Sequence, residues 1–217
     1  MKVAGVDLQS TFNLQVQEIA NFSLHGVGLL LFYLLTIVFV VYFFTEFYLD
    51  TYEVSMKERW VMIAIGLTFG LLDTWLGDAR IYFPVWGLLA YLLVVDLKYQ
   101  ELPDGVNLTI AVLALPVVIQ AFQHPGYLNS TLLTGVFLFI FFLLISLVGA
   151  LGGGDIKMMG AIGLYFPFVE VSQLLVFGFG VGVIHAITVL FKKDTNLKSK
   201  FAFGPGLIIG ALITSLL

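Results

Sequence analysis

The sequence predicts an all-α polytopic membrane protein with about eight transmembrane helices in one bundle. Three observations predict it. Of 217 residues, 60% are apolar and 11% are charged, against roughly 45–50% and about 25% in a soluble domain. Mean hydropathy is +1.03. The apolar residues fall in eight runs separated by short polar loops. A bilayer span needs about 20 residues, so the chain has no room for a sizeable soluble domain.

Composition also excludes functions. Ten scattered basic residues form no patch to grip phosphates, so no nucleic-acid partner is expected. There is no Cys, and His25, His124 and His185 lie far apart in the chain. Disulfides, thiol catalysis, a metal site and a cofactor are therefore not expected.

Residues 1–25 are the most polar part. Phe12, Val16 and Ile19 fall at helical spacing with Gln9, Asn13, Gln17 and Glu18 between them. An amphipathic segment lying on the membrane surface is expected there. Lys2 is followed by no apolar run and no small-residue cleavage pattern, so a signal peptide is not. Residues 26–217 read as a single transmembrane domain.

The predicted spans are about 26–45, 60–77, 82–96, 105–122, 131–150, 156–168, 171–191 and 201–217. The charged loop 46–59 ends the first, and Gly77-Asp78-Ala79-Arg80 ends the second. Asp96 and the Leu102-Pro103-Asp104 break end the third. His124-Pro125-Gly126 stops the fourth, Gly152-Gly153-Gly154-Asp155 the fifth, and Pro167 the sixth. The seventh runs into the lysine-rich loop 192–200. The third and sixth are short for a bilayer, as for helices inside a bundle or with ends facing water. Orientation follows from the short loops. Eight of the ten basic residues lie in loops 46–59, 97–104, 151–157 and 192–200, which the positive-inside rule puts in the cytoplasm. Lys2 and Arg80 fall on the other side.

Charges at the edges of spans are costly and usually mark function. Asp96 closes an apolar run, at a helix C-terminus where the macrodipole favours cations instead. Asp155 follows three glycines and opens the short sixth span, at the helix end that favours anions. The topology puts both on the inner face. Two adjacent carboxylates cannot both ionise easily and share a proton, as an aspartic peptidase requires. Asp73 lies within the second span towards the outer side, where a buried group bonded to a neighbouring helix is expected. Gly178, Gly180 and Gly182 read as sites of close helix approach.

Three motifs resemble the type IV prepilin peptidase family, membrane aspartic peptidases of the Gly-Xaa-Gly-Asp type that include archaeal preflagellin peptidases. They are Asp96-Leu97-Lys98-Tyr99-Gln100-Glu101-Leu102-Pro103-Asp104, Gly152-Gly153-Gly154-Asp155-Ile156-Lys157 and Phe201-Ala202-Phe203-Gly204-Pro205-Gly206. The resemblance implies removal of short basic leader peptides from prepilins or pseudopilins at the cytoplasmic face of the plasma (inner) membrane. It implies Asp96 and Asp155 as the catalytic pair, Gly152 and Gly154 as shapers of the loop, and Lys157 as a group that positions Asp155. An acidic rim of Glu46, Asp50, Glu53, Glu101 and Asp104 is expected to receive the basic leader.

Two features depart from the family. Many bacterial members carry a large loop after the first span with two Cys pairs that bind zinc, and many methylate the new N-terminus. Here loop 46–59 is short and Cys-free, so a peptidase without methyltransferase activity is expected. The competing class is a proton- or ion-coupled transporter subunit using Asp73, Asp96 and Asp155 as relays. The key acids lie at one membrane edge, which favours the peptidase.

Overall fold

The computed structural model describes residues 2–3, 6–7, 28, 30–77, 81–121, 125–148, 151–191 and 202–217. Among the described residues the regular structure is helical, apart from a short antiparallel pairing of Lys2–Val3 with Val6–Asp7. The amphipathic segment expected around Phe12 to Ile19 lies outside the described residues.

The helices are α1 (Leu30–Phe47), α2 (Met56–Leu76), α3 (Phe83–Tyr99), α4 (Asp104–Leu113), α5 (Leu115–Ala121), α6 (Pro125–Ser146), α7 (Gly153–Gly163), α8 (Val171–Leu190) and α9 (Gly204–Ser215). A short 3-10 turn, Phe168–Glu170, leads into α8. With α4 and α5 taken as one broken rod, they match the eight apolar runs. Among the described residues, three stretches are long and apolar enough to cross a membrane: Leu30–Phe47, Met56–Leu76 and Phe168–Val189.

Local chemistry explains the boundaries. Ser55 caps α2, its hydroxyl accepting from the Glu58 N–H while the Glu58 carboxylate accepts from the Ser55 N–H, a capping box. Pro84 sits in the first turn of α3, where its missing N–H costs nothing. Gln100 closes α3 with φ 57°, a left-handed turn, and donates its N–H to the Asp96 carbonyl. The break between α4 and α5 falls just ahead of Pro116, which offers no N–H and crowds the preceding turn. Pro125 starts α6 about six residues earlier than the sequence predicts.

Helix α3 is the centre of the bundle. Residues from Val85 to Leu93 are buried all round, as expected of a helix enclosed by others. Helix α2 packs along it on one side and α9 on another, α6 lies along α7, and α4 rests against α7. Helices α8 and α9 meet through glycine. A Cβ on Gly206 would lie 2.6 Å from the Gly182 Cα, and one on Gly210 would lie 2.4 Å from the Gly178 nitrogen. Of the three α8 glycines, Gly178 and Gly182 make the expected close approach, whereas Gly180 has open space around it. Asp73 is buried and accepts from the Trp86 indole at 3.1 Å and from the Ile81 N–H at 3.4 Å. It ties α2 to α3 and to Ile81 just ahead of α3, as expected of a bonded buried acid.

Candidate active site

Three short connections converge at one end of the bundle: the α1–α2 loop, the α3–α4 loop and the turn before α7. Together they enclose a cavity of about 510 Å³ lined by Tyr48, Tyr52, Asp96, Gln100 to Gly105 and Gly152 to Asp155. Asp96 and Asp155 therefore share a single cavity. They are 4% and 7% exposed, so each is withdrawn from bulk water yet borders a space that could admit substrate.

Each carboxylate is held by backbone. Asp96 lies one turn before the end of α3, and its Oδ2 accepts the N–H of Gly204 at 2.9 Å. Gly204 is the first residue of α9, so Asp96 meets the positive end of that helix although it sits near the negative end of its own. Asp155 is the third residue of α7, and its Oδ2 accepts the N–H of Gly152 at 3.3 Å. Its Oδ1 is buried and has no hydrogen-bond partner among the described residues. Both carboxylates thus lie at the N-terminal end of a helix, Asp155 in the first turn of its own α7 and Asp96 against that of α9.

Glycine is required where the backbones crowd. A Cβ on Gly154 would come 2.6 Å from the Leu102 Cβ, and one on Gly204 would come 2.6 Å from the Asp96 Oδ2. A side chain at either position would force its neighbour to shift, the Leu102 segment in one case and the Asp96 carboxylate in the other, so these glycines let the α3–α4 loop close on α7 and let α9 reach Asp96. Asn107 secures the same junction by donating from its Nδ2 to the Gly154 carbonyl at 3.4 Å.

Lys157 reaches Asp104, its Nζ lying 2.6 Å from the Asp104 Oδ2. The pair links α7 to the first turn of α4. The expected rim acids divide. Glu101 and Asp104 line the cavity. Glu46 is instead paired with Arg59 and does not line it, nor does Asp50. Glu53 contributes its backbone, its carbonyl accepting from Lys98 Nζ and from the Tyr99 hydroxyl, each at 2.7 Å.

Sequence reasoning overlooked Tyr48 and Tyr52. The Tyr52 hydroxyl donates to Glu101 Oε2 at 3.1 Å. Burial first, and then the Glu101 carboxylate, push its pKa up to about 12, so it remains a donor. With the two bonds to Glu53, this pins the α1–α2 loop over the cavity. Aromatic residues are common throughout the chain, and no local pattern distinguishes these two. Among the described residues, no group of three or more His, Asp or Glu could hold a metal ion.

No curated protein and no solved structure matches the chain. The family model for the type IV leader peptidase family matches residues 82–189, half of the chain, and this stretch carries Asp96, Asp155 and the loops that hold them. The chain belongs to the type IV leader peptidase family.

Proposed function

We propose that this protein is an aspartic endopeptidase that removes short basic leaders from type IV prepilins or pseudopilins, with Asp96 and Asp155 as its catalytic pair. The observation that carries this is the shared cavity, where two buried carboxylates from distant parts of the chain face one space. Membership of a leader peptidase family supports the reaction class.

The pair shares one proton. The ionised carboxylate takes a proton from water, and the water oxygen attacks the scissile carbonyl carbon. The protonated carboxyl donates to the carbonyl oxygen, forming a tetrahedral intermediate. Its collapse breaks the C–N bond, and the proton taken from water passes to the leaving amine. The N–H groups of Gly204 and Gly152 fix one oxygen of each acid, leaving the other for water and substrate.

All eight helical rods cross the plasma membrane in this proposal, with the site at the cytoplasmic face. The convergence of loops 46–59, 97–104 and 151–157 on one cavity supports that topology, because alternate loops of a polytopic chain share a side. Glu101 and Asp104 give the cavity rim an acidic character suited to a basic leader. The short α1–α2 loop, closed down by Tyr52, Lys98 and Tyr99, supports peptidase activity without methyl transfer.

Co-expression with a prepilin tests the proposal. The wild type is expected to shift the pilin to its shorter form on a gel, and Asp96→Asn and Asp155→Asn to leave it full length. Processing retained by either variant overturns the dyad. The mass of the mature pilin N-terminus is expected to lack the added methyl group.

A further inference from the structure

A second cavity of about 550 Å³ adjoins the catalytic one, and its walls are almost wholly apolar. Helix α7 and the residue that caps it form the floor with Gly160 and Leu164, while α4 and α6 form the walls with Leu108, Val136 and Phe139. Leu108, Val136 and Phe139 are 66%, 55% and 41% exposed. The floor runs from Lys157 to Leu164, about 10 Å at 1.5 Å per residue. That is the length of two helical turns.

The two cavities meet. Asp104 and Gly105 line both, and the Lys157–Asp104 ion pair stands at their junction. Their chemistries are opposite. Every charged side chain lining the catalytic cavity is acidic (Asp96, Glu101, Asp104 and Asp155), whereas the adjoining groove is apolar. A chain threaded through both must be polar or cationic on one side of the scissile bond and apolar on the other. The apolar side must also be helical, since backbone groups at membrane depth have to bond within their own segment.

We infer that this groove seats the substrate's apolar helix, laid along α7 between α4 and α6, directly after the bond cut at Asp96 and Asp155. The inference rests on the peptidase proposal and adds to it the surface that presents the scissile bond. Continuity with the catalytic cavity selects a substrate helix over a lipid tail, because the groove opens at the place where the cut chain must emerge.

The absence of native Cys permits a direct test. Single cysteines are introduced as Leu108→Cys and Val136→Cys, with Val176→Cys as a control on the exposed face of α8. Asp96→Asn in the same chain keeps the substrate whole. A membrane-inserted prepilin bearing single cysteines along its apolar helix is added with a mild oxidant. Disulfides are expected at Leu108→Cys and Val136→Cys with a three-to-four-residue period along the substrate, and not at Val176→Cys. Equal yields at all three sites, or no disulfides at the groove, overturn the inference, as they would if lipid alone filled it.

Kinetics give a second readout. Leu108→Trp in the active enzyme is expected to lower kcat/KM for the full prepilin about tenfold more than for a short peptide that carries the leader, the scissile bond and only the first few residues after it. Equal effects on the two substrates contradict the inference but leave the peptidase proposal standing. If the wild type cleaves neither substrate, the peptidase proposal fails and this inference fails with it.

Discussion

Asp96 and Asp155 are positioned by main-chain N–H groups, which makes their neighbouring glycines sensitive. Gly204→Ala puts a Cβ 2.6 Å from the Asp96 Oδ2, and the carboxylate has to swing away. A displacement of about 1 Å at a reacting group can cost roughly 10²-fold in rate. Gly204→Ala is therefore expected to lower kcat/KM by about 10- to 100-fold while the protein still purifies folded, which steady-state kinetics on a purified prepilin would check. Tyr52 offers a separate test in pH. Its pKa rises from 10.0 to about 12 on folding, so the folded state favours the protonated phenol. That contribution to stability is complete below pH 10 and is lost as pH climbs through 12. Thermal unfolding of wild type and Tyr52→Phe across this range is expected to show the wild type's advantage shrinking. A constant difference between them would contradict the assignment. Sequence marked Asp96 and Asp155 because a carboxylate at a span boundary stands out against an apolar background. It did not give the Gly204 bond to Asp96, which joins residues far apart in the chain and depends on how α9 docks.

At the scale of elements, the eight apolar runs were legible because burial in lipid demands continuous apolar stretches, and each run became a helical rod. Boundaries were less legible. Gly126, Asn129 and Ser130 hid the start of α6, although Pro125 is a favourable first residue. The third predicted span continued past Asp96 to Tyr99, so Asp96 lies inside the last turn of α3 and is not its final residue. The α8–α9 seam carries the clearest expectation here. On Gly210→Ala the new Cβ would fall 2.4 Å from the α8 backbone, whereas Gly180→Ala meets open space. Overpacking of this kind costs about 1–3 kcal/mol, while Gly→Ala within an open helix gains about 0.5–1 kcal/mol. Denaturation in detergent is expected to rank Gly210→Ala below the wild type and Gly180→Ala above it. Because α9 also carries Gly204 to Asp96, Gly210→Ala is expected to lose activity along with stability.

The whole molecule brings three loops, each following a different helix, onto one acidic cavity, with an apolar groove leading away from it. This arrangement fits a membrane peptidase that meets its substrate at the bilayer edge, where a basic segment and an apolar helix adjoin. The distribution of basic residues predicted that the loops share a side, since charge in short loops sets orientation. Nothing in the sequence could show that they close on one space, because closure depends on Gly154 meeting Leu102 and on Tyr52 meeting Glu101. In the proposed mechanism Asp96 and Asp155 act as one catalytic unit. The most direct test is the cleavage rate of a purified prepilin by Asp96→Asn, Asp155→Asn and the double variant. Groups that act as a unit are strongly non-additive, so each single variant is expected to lose about 10⁴-fold or more, and the double variant no more than either. Substantial cleavage by one single variant, or losses that multiply in the double, would show that the two acids do not act together.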